Sequence, residues 1–116
     1  MTTSGGVIAA NRWQHIALTF VASTKTFAMY VNGVSAATAS FSTGATDQAS
    51  SLFIGAYNTA NYFFPGYLSN VRIVKGTAVY TAAFTPPTGL VTSTSTTIAL
   101  LNFTNSGVID PTSKND

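Results

Sequence analysis

Trp13-Gln14-His15-Ile16-Ala17-Leu18-Thr19-Phe20 is the stretch on which the fold turns. Ile16, Leu18 and Phe20 share one side of it, and Trp13, His15 and Thr19 share the other. That period of two is the signature of a pleated strand, because a helix returns to the same side only after three or four residues. Thr26-Phe27-Ala28-Met29-Tyr30-Val31 repeats the alternation, with Phe27, Met29 and Val31 opposite Ala28 and Tyr30. The short polar loop Ser23-Thr24-Lys25 joins the two runs into an antiparallel hairpin. Asn32-Gly33 follows at once, and both residues tolerate positive φ, so the chain turns again. Residues 34–41, rich in Ala and Ser, read as the return strand.

Further along, residues 42–51 form a small-residue loop carrying Asp47, and Leu52-Phe53-Ile54-Gly55-Ala56-Tyr57 reads as a short strand. Residues 58–65 are an aromatic loop and residues 66–74 another strand. Residues 76–88 are irregular, since Pro86 and Pro87 forbid a central strand. After a polar linker, Thr97-Ile98-Ala99-Leu100-Leu101-Asn102-Phe103 is the last strand, and residues 105–116 are turn-like. No helical period is found. Five or six regularly spaced strands predict an all-β antiparallel β-sandwich in one domain spanning residues 1–116.

Composition narrows the function classes. Charged residues make up 7% of the 116 positions, against roughly 25% in an average soluble domain. The pI near 9.2 therefore reflects scarce charge and not a basic surface. Five Lys and Arg residues, scattered along the chain, cannot form the stripe that phosphate contacts require, so no nucleic-acid partner is predicted. A hydrophobic content of 46% argues against disorder. Without cysteine there is neither a disulfide nor a thiol nucleophile. Met1-Thr2-Thr3-Ser4-Gly5-Gly6 has no basic or apolar region of the signal-peptide kind. The charge-free residues 76–109 hold too many Thr, Ser, Pro and Gly for a membrane span, so no membrane partner is predicted either.

Catalysis finds little material. Glycoside cleavage needs an acid paired with a base or nucleophile. The only carboxylates here are Asp47, Asp110 and Asp116, one in a loop and two in the tail, so no enzyme is predicted. His15 is the sole histidine, and no nucleophile elbow of the G-x-S-x-G kind accompanies it. His15 reads as a strand residue that packs on neighbours or faces water, and Trp13 as core or sandwich rim. Arg72 and Lys75 read as solvent-facing or edge charges that discourage strand pairing. Asn102-Phe103-Thr104 fits a glycosylation acceptor but lies in an apolar strand and reads as chance.

The most informative feature is Tyr57-Asn58-Thr59-Ala60-Asn61-Tyr62-Phe63-Phe64. Aromatic faces stack on sugar C–H surfaces, while amides and hydroxyls bond sugar hydroxyls. Tyr57, Asn58, Asn61 and Tyr62 supply both within one loop, with Phe63 beside them. Two other readings fit the same residues. Phe63 and Phe64 can plug the end of the sandwich while the polar residues cap the turn, or the loop can contact a partner protein.

Several of these blocks resemble a known family. Trp13-Gln14-His15-Ile16-Ala17-Leu18-Thr19 and Phe27-Ala28-Met29-Tyr30-Val31-Asn32-Gly33 are similar to paired strands of laminin-G-like domains. So are Leu52-Phe53-Ile54-Gly55 and Phe64-Pro65-Gly66-Tyr67-Leu68-Ser69-Asn70-Val71-Arg72-Ile73. These domains are jelly rolls of the concanavalin A-like lectin and glucanase superfamily. Residues 75–87 resemble the closing segment of tailed-phage and marine viral members. Ala99-Leu100-Leu101-Asn102-Phe103 resembles a family opening strand, displaced here to residues 97–116, so the chain reads as a truncated or circularly permuted jelly roll.

The resemblance implies a lectin-like, carbohydrate-binding adhesion module of a virion, located on the particle or outside the cell. A purely structural virion module, in capsid decoration or a tail, is the alternative. Glycan or cell-surface polysaccharide is the implied ligand. Open sheet edges imply a homo-oligomer or a neighbouring virion protein. Calcium is common in such relatives but needs six to eight oxygens, generally with several carboxylates. With Asn70 where relatives place acids, calcium is not predicted, and neither is any other cofactor.

Overall fold

The alternation at residues 16–20 becomes β1 (Ile16–Val21), and the next run becomes β2 (Thr26–Val31). Asn32 and Gly33, at φ 50° and 79°, form the two-residue turn into β3 (Val34–Ser40). Positive φ at both positions is the type I′ geometry, whose twist matches that of the flanking strands. A computed structural model describes residues 5–43, 51–57 and 62–103. Its described residues belong to two compact units, one within Met1–Thr46 and Val74–Gly89, the other within Asp47–Ile73 and Leu90–Asp116. No helix occurs among the described residues.

The first unit holds an antiparallel sheet in the order β1-β2-β3. Ile16 pairs with Val31, Leu18 with Met29 and Phe20 with Phe27, so the apolar stripe of the sequence occupies one face. Between Met29 and Tyr30 the β2–β3 register shifts, leaving Ala36 as the extra residue of a bulge. The opposite face carries Thr19 and Tyr30, both buried. An irregular strap covers it: Tyr80 and Phe84 stack with centroids 3.6 Å apart, and Phe84 meets the Tyr30 ring edge-on at 5.6 Å. The Phe84 N–H donates to the Gly33 carbonyl at 3.0 Å, tying the strap to the turn.

On the apolar face, Phe20, Phe27 and Phe41 form a row, with centroids 4.5 and 5.5 Å apart. Ile16 and Leu18 nevertheless remain 48% and 63% exposed. The better-covered face is thus the one carrying Thr19 and Tyr30, because it is where the strap lies.

The second unit contains β4 (Val71–Val74) and β5 (Thr97–Leu101), paired as a two-stranded sheet, with the last residue of β4 at the unit boundary. Thr97 and Leu100 are its most buried side chains, each 1% exposed. Thr97 closes the turn that starts β5. Its N–H donates to the Thr94 carbonyl at 3.0 Å, and its Oγ1 accepts from the Thr94 N–H at 2.9 Å. The Arg72 guanidinium donates to the Thr92 carbonyl at 3.1 Å, so this charge braces the approach to β5 and does more than guard an edge. Thr97→Val keeps the shape but leaves the Thr94 N–H without its part-buried acceptor. It is expected to cost about 1 kcal/mol, read as a lower urea midpoint.

Three sequence expectations need correction. The strand at residues 52–57 reduces to a single bridge at Ala56, because that segment forms one arm of a short hairpin and not part of a sheet. The strand at residues 66–74 shrinks to its last four residues, Val71–Val74. Trp13 precedes β1 and is 69% exposed, so it is not core.

Candidate functional site

The site is a hairpin of the second unit. Its arms are residues 55–57 and 62–64, joined by the antiparallel bridge between Ala56 and Phe63. The Phe64 N–H donates to the Gly55 carbonyl at 2.8 Å, and the Tyr57 N–H to the Tyr62 carbonyl at 3.3 Å. These bonds place Tyr57 and Tyr62 directly across from each other. Their rings meet edge-to-face, with centroids 5.9 Å apart and planes at 82°. They stay 74% and 78% exposed, an arrangement that leaves aromatic surface open to a ligand.

A shallow, open depression of about 470 Å³ lies beside the hairpin, lined by Gly55, Ala56, Tyr57, Tyr62, Phe64 and Leu68. No charged side chain is in this lining. The lining offers aromatic surface, phenolic hydroxyls and backbone groups, which hold a neutral ligand by stacking and hydrogen bonds. Tyr62 has φ 59°, in the left-handed region where a bulky residue is strained. Strain of this kind concentrates at binding sites.

Of the residues picked out in the sequence, Tyr57 and Tyr62 line the depression together. Phe63, the bridge partner of Ala56, is not in the lining, while its neighbours Tyr62 and Phe64 are. Asn58 and Asn61 lie outside the described residues, as do Asp47, Asp110 and Asp116. Sequence reading missed Leu68 as a lining residue. Only the neighbouring family-like block, Phe64-Pro65-Gly66-Tyr67-Leu68, hinted at it.

His15 belongs to a different cluster, in the first unit. Its ring meets Tyr80 edge-on at 6.0 Å and Phe84 at 5.4 Å, where it packs the strap against the sheet. Its N–H donates to Asn32 Oδ1 at 2.9 Å, and its carbonyl accepts the Asn32 N–H at 2.8 Å. Among the described residues, no group of three or more His, Cys, Asp or Glu could hold a metal ion.

A laminin-G family model (Laminin_G_3), described as the concanavalin A-like lectin/glucanases superfamily, matches residues 1–83. The chain belongs to this superfamily. Comparison with curated proteins and with solved structures finds no match. The matched residues include the whole three-stranded sheet and the Tyr57–Tyr62 hairpin of this laminin-G-type chain. With antiparallel strands and no helix among the described residues, the chain is a small all-β member of the concanavalin A-like class, consistent with an incomplete jelly-roll sandwich. No helix among its described residues is long and apolar enough to cross a membrane.

Proposed function

We propose that this chain is a non-enzymatic, carbohydrate-binding adhesion module of a phage or viral structural protein, acting on the virion or outside the cell. The observation that carries the reading is the pair of exposed tyrosine rings lining an open, uncharged depression in a concanavalin A-like chain. A sugar ring stacks on Tyr57 or Tyr62, and the phenolic hydroxyls bond its hydroxyl groups. A single site of this kind binds weakly, so a homo-oligomer supplies avidity through effective concentration. The viral setting draws on the resemblance of residues 75–87 to the closing segment of phage members. No cofactor enters this reading.

The test separates ring from backbone. Tyr62→Gly removes the ring and accepts φ 59° without the strain of about 1–2 kcal/mol that an L side chain carries there. It is expected to weaken binding to neutral glycans by about tenfold while leaving stability unchanged or raised. Tyr57→Ala is expected to weaken binding similarly. Titration calorimetry against oligosaccharides chosen from a glycan array, with a thermal melt of each variant, reads both quantities. Glycan binding that survives both substitutions excludes the hairpin as the site. The alternative, a structural virion module whose aromatic loop docks to a partner chain, draws on the same exposed tyrosine rings, and it requires assembly to fail in these tyrosine variants.

A further inference from the structure

We infer that two copies of this chain join along the outer edge of β1, antiparallel, about a two-fold axis beside Leu18. The inference rests on the oligomeric part of the reading above and names its seam. Among the described residues, β1 has β2 on one side and no strand on the other.

Which backbone groups face that open side follows from the ladder. The Asn32 N–H donates to the His15 carbonyl, which makes residues 15 and 32 a hydrogen-bonded pair. Bonded and non-bonded pairs alternate in an antiparallel ladder. Given the register, Ala17, Thr19 and Val21 bond to β2, while Ile16, Leu18 and Phe20 turn their N–H and C=O groups outward. Those same residues carry the apolar stripe, of which Ile16 and Leu18 are the open members.

A second β1 can satisfy these outward groups only by presenting its own Ile16, Leu18 and Phe20. Pairing is therefore confined to registers that set apolar face beside apolar face. The register with the most bonds puts Leu18 opposite Leu18 and Ile16 opposite Phe20 of the second copy. Such a seam is self-complementary, as a two-fold interface must be, and on the face of the stripe its cross-strand pairs, Leu18–Leu18 and Ile16–Phe20, are apolar.

The alternatives are poorer. Monomeric sheets normally protect an edge with Lys, Pro or a bulge. Ile16–Val21 has none of these, whereas β3 carries the bulge at Ala36. In the other unit β4 carries Arg72, and β5 buries Thr97 and Leu100 almost completely. The paired molecule has a continuous sheet in the order β3-β2-β1-β1-β2-β3.

The chain has no cysteine, so an introduced thiol reports without background. Opposed Leu18 Cα atoms would lie about 5.5 Å apart, within disulfide reach. Mild oxidation is expected to cross-link Leu18→Cys into dimers, and to leave Thr38→Cys on β3 uncross-linked. Leu18→Pro removes an N–H that the β1–β2 ladder does not use, so the sheet tolerates it. It is expected to weaken dimerisation at least tenfold in sedimentation, with the circular dichroism spectrum unchanged. Should Leu18→Pro lose that spectrum, Leu18→Lys puts a charge at the seam and tests the same point.

The inference is overturned by a chain that is monomeric at every concentration. It is equally overturned by cross-linking through Thr38→Cys in place of Leu18→Cys, or by a dimer that survives both Leu18→Pro and Leu18→Lys. Protection of the Leu18 amide from hydrogen exchange in dilute monomer would assign the edge to another segment of the same chain, and would also overturn it. Glycan binding per site is expected to be unchanged in Leu18→Pro. Loss of binding in Tyr62→Gly with the dimer intact would leave this seam standing, so the two readings fail separately.

Discussion

Gly33→Ala is expected to release the strap from the three-stranded sheet and to cost about 3 kcal/mol. Two effects add. Gly33 sits at φ 79°, where an L side chain costs about 1–2 kcal/mol. A Cβ built there also collides with the Phe84 carbonyl oxygen, a backbone atom that cannot swing aside. Relieving that collision breaks the bond from the Phe84 N–H to the Gly33 carbonyl, worth about 1 kcal/mol net. It also loosens Phe84 from Tyr30 and His15.

Gly76→Ala is the control. Gly76 has φ 95°, but a Cβ there meets nothing within 4 Å, so only the backbone cost of about 1–2 kcal/mol should appear. Urea unfolding gives the stability difference. The sole histidine gives the structural one, because His15 rests against Tyr80 and Phe84 and its ring protons carry ring-current shifts. Those shifts should collapse in Gly33→Ala and persist in Gly76→Ala. Equal losses of stability in the two variants would show that the Phe84 collision contributes nothing.

Leu100→Ala should destabilise the second unit by about 2–3 kcal/mol. Deleting a fully buried leucine side chain costs its transfer free energy plus the residual cavity, about 2–5 kcal/mol across known cases. Leu100 is 1% exposed, but few side chains around it are fully buried, so partial collapse places the effect in the lower half of that range. A midpoint about 1 M lower in urea is the expected reading. Because the tyrosine hairpin belongs to the same unit, glycan binding should fall with temperature earlier in Leu100→Ala than in the parent chain. A change below about 0.5 kcal/mol would mean that Leu100 is not a packing centre.

Much of the fold is legible in the sequence because a period of two marks a strand whatever surrounds it. The alternation at residues 16–20 and 26–31 and the Asn32-Gly33 turn between β2 and β3 all appear as read. So does the strandless segment containing Pro86 and Pro87. Leu52-Phe53-Ile54 misled because a short apolar run fits a buried strand and an open arm equally well. Leu52 is in fact among the exposed residues. At the site, the aromatic loop was legible as a loop, but the role of Phe63 was not. Spacing does not say which of three consecutive aromatics lines the site, and the structure takes Tyr62 and Phe64.

By itself the sequence determined which residues share a face, where the chain turns, that charge is scarce, and that two tyrosines flank one loop. Those properties reside in the covalent spacing of side chains and in the local φ preferences of Asn and Gly. Only the tertiary structure decided that the strap covers the face of Thr19 and Tyr30, while Ile16 and Leu18 stay open. It alone drew Leu68 to the tyrosine pair and turned the amides of Leu18 to the outer edge. Alternation separates two faces without ranking them. The ranking comes from which distant segment packs there, through contacts that local spacing does not encode.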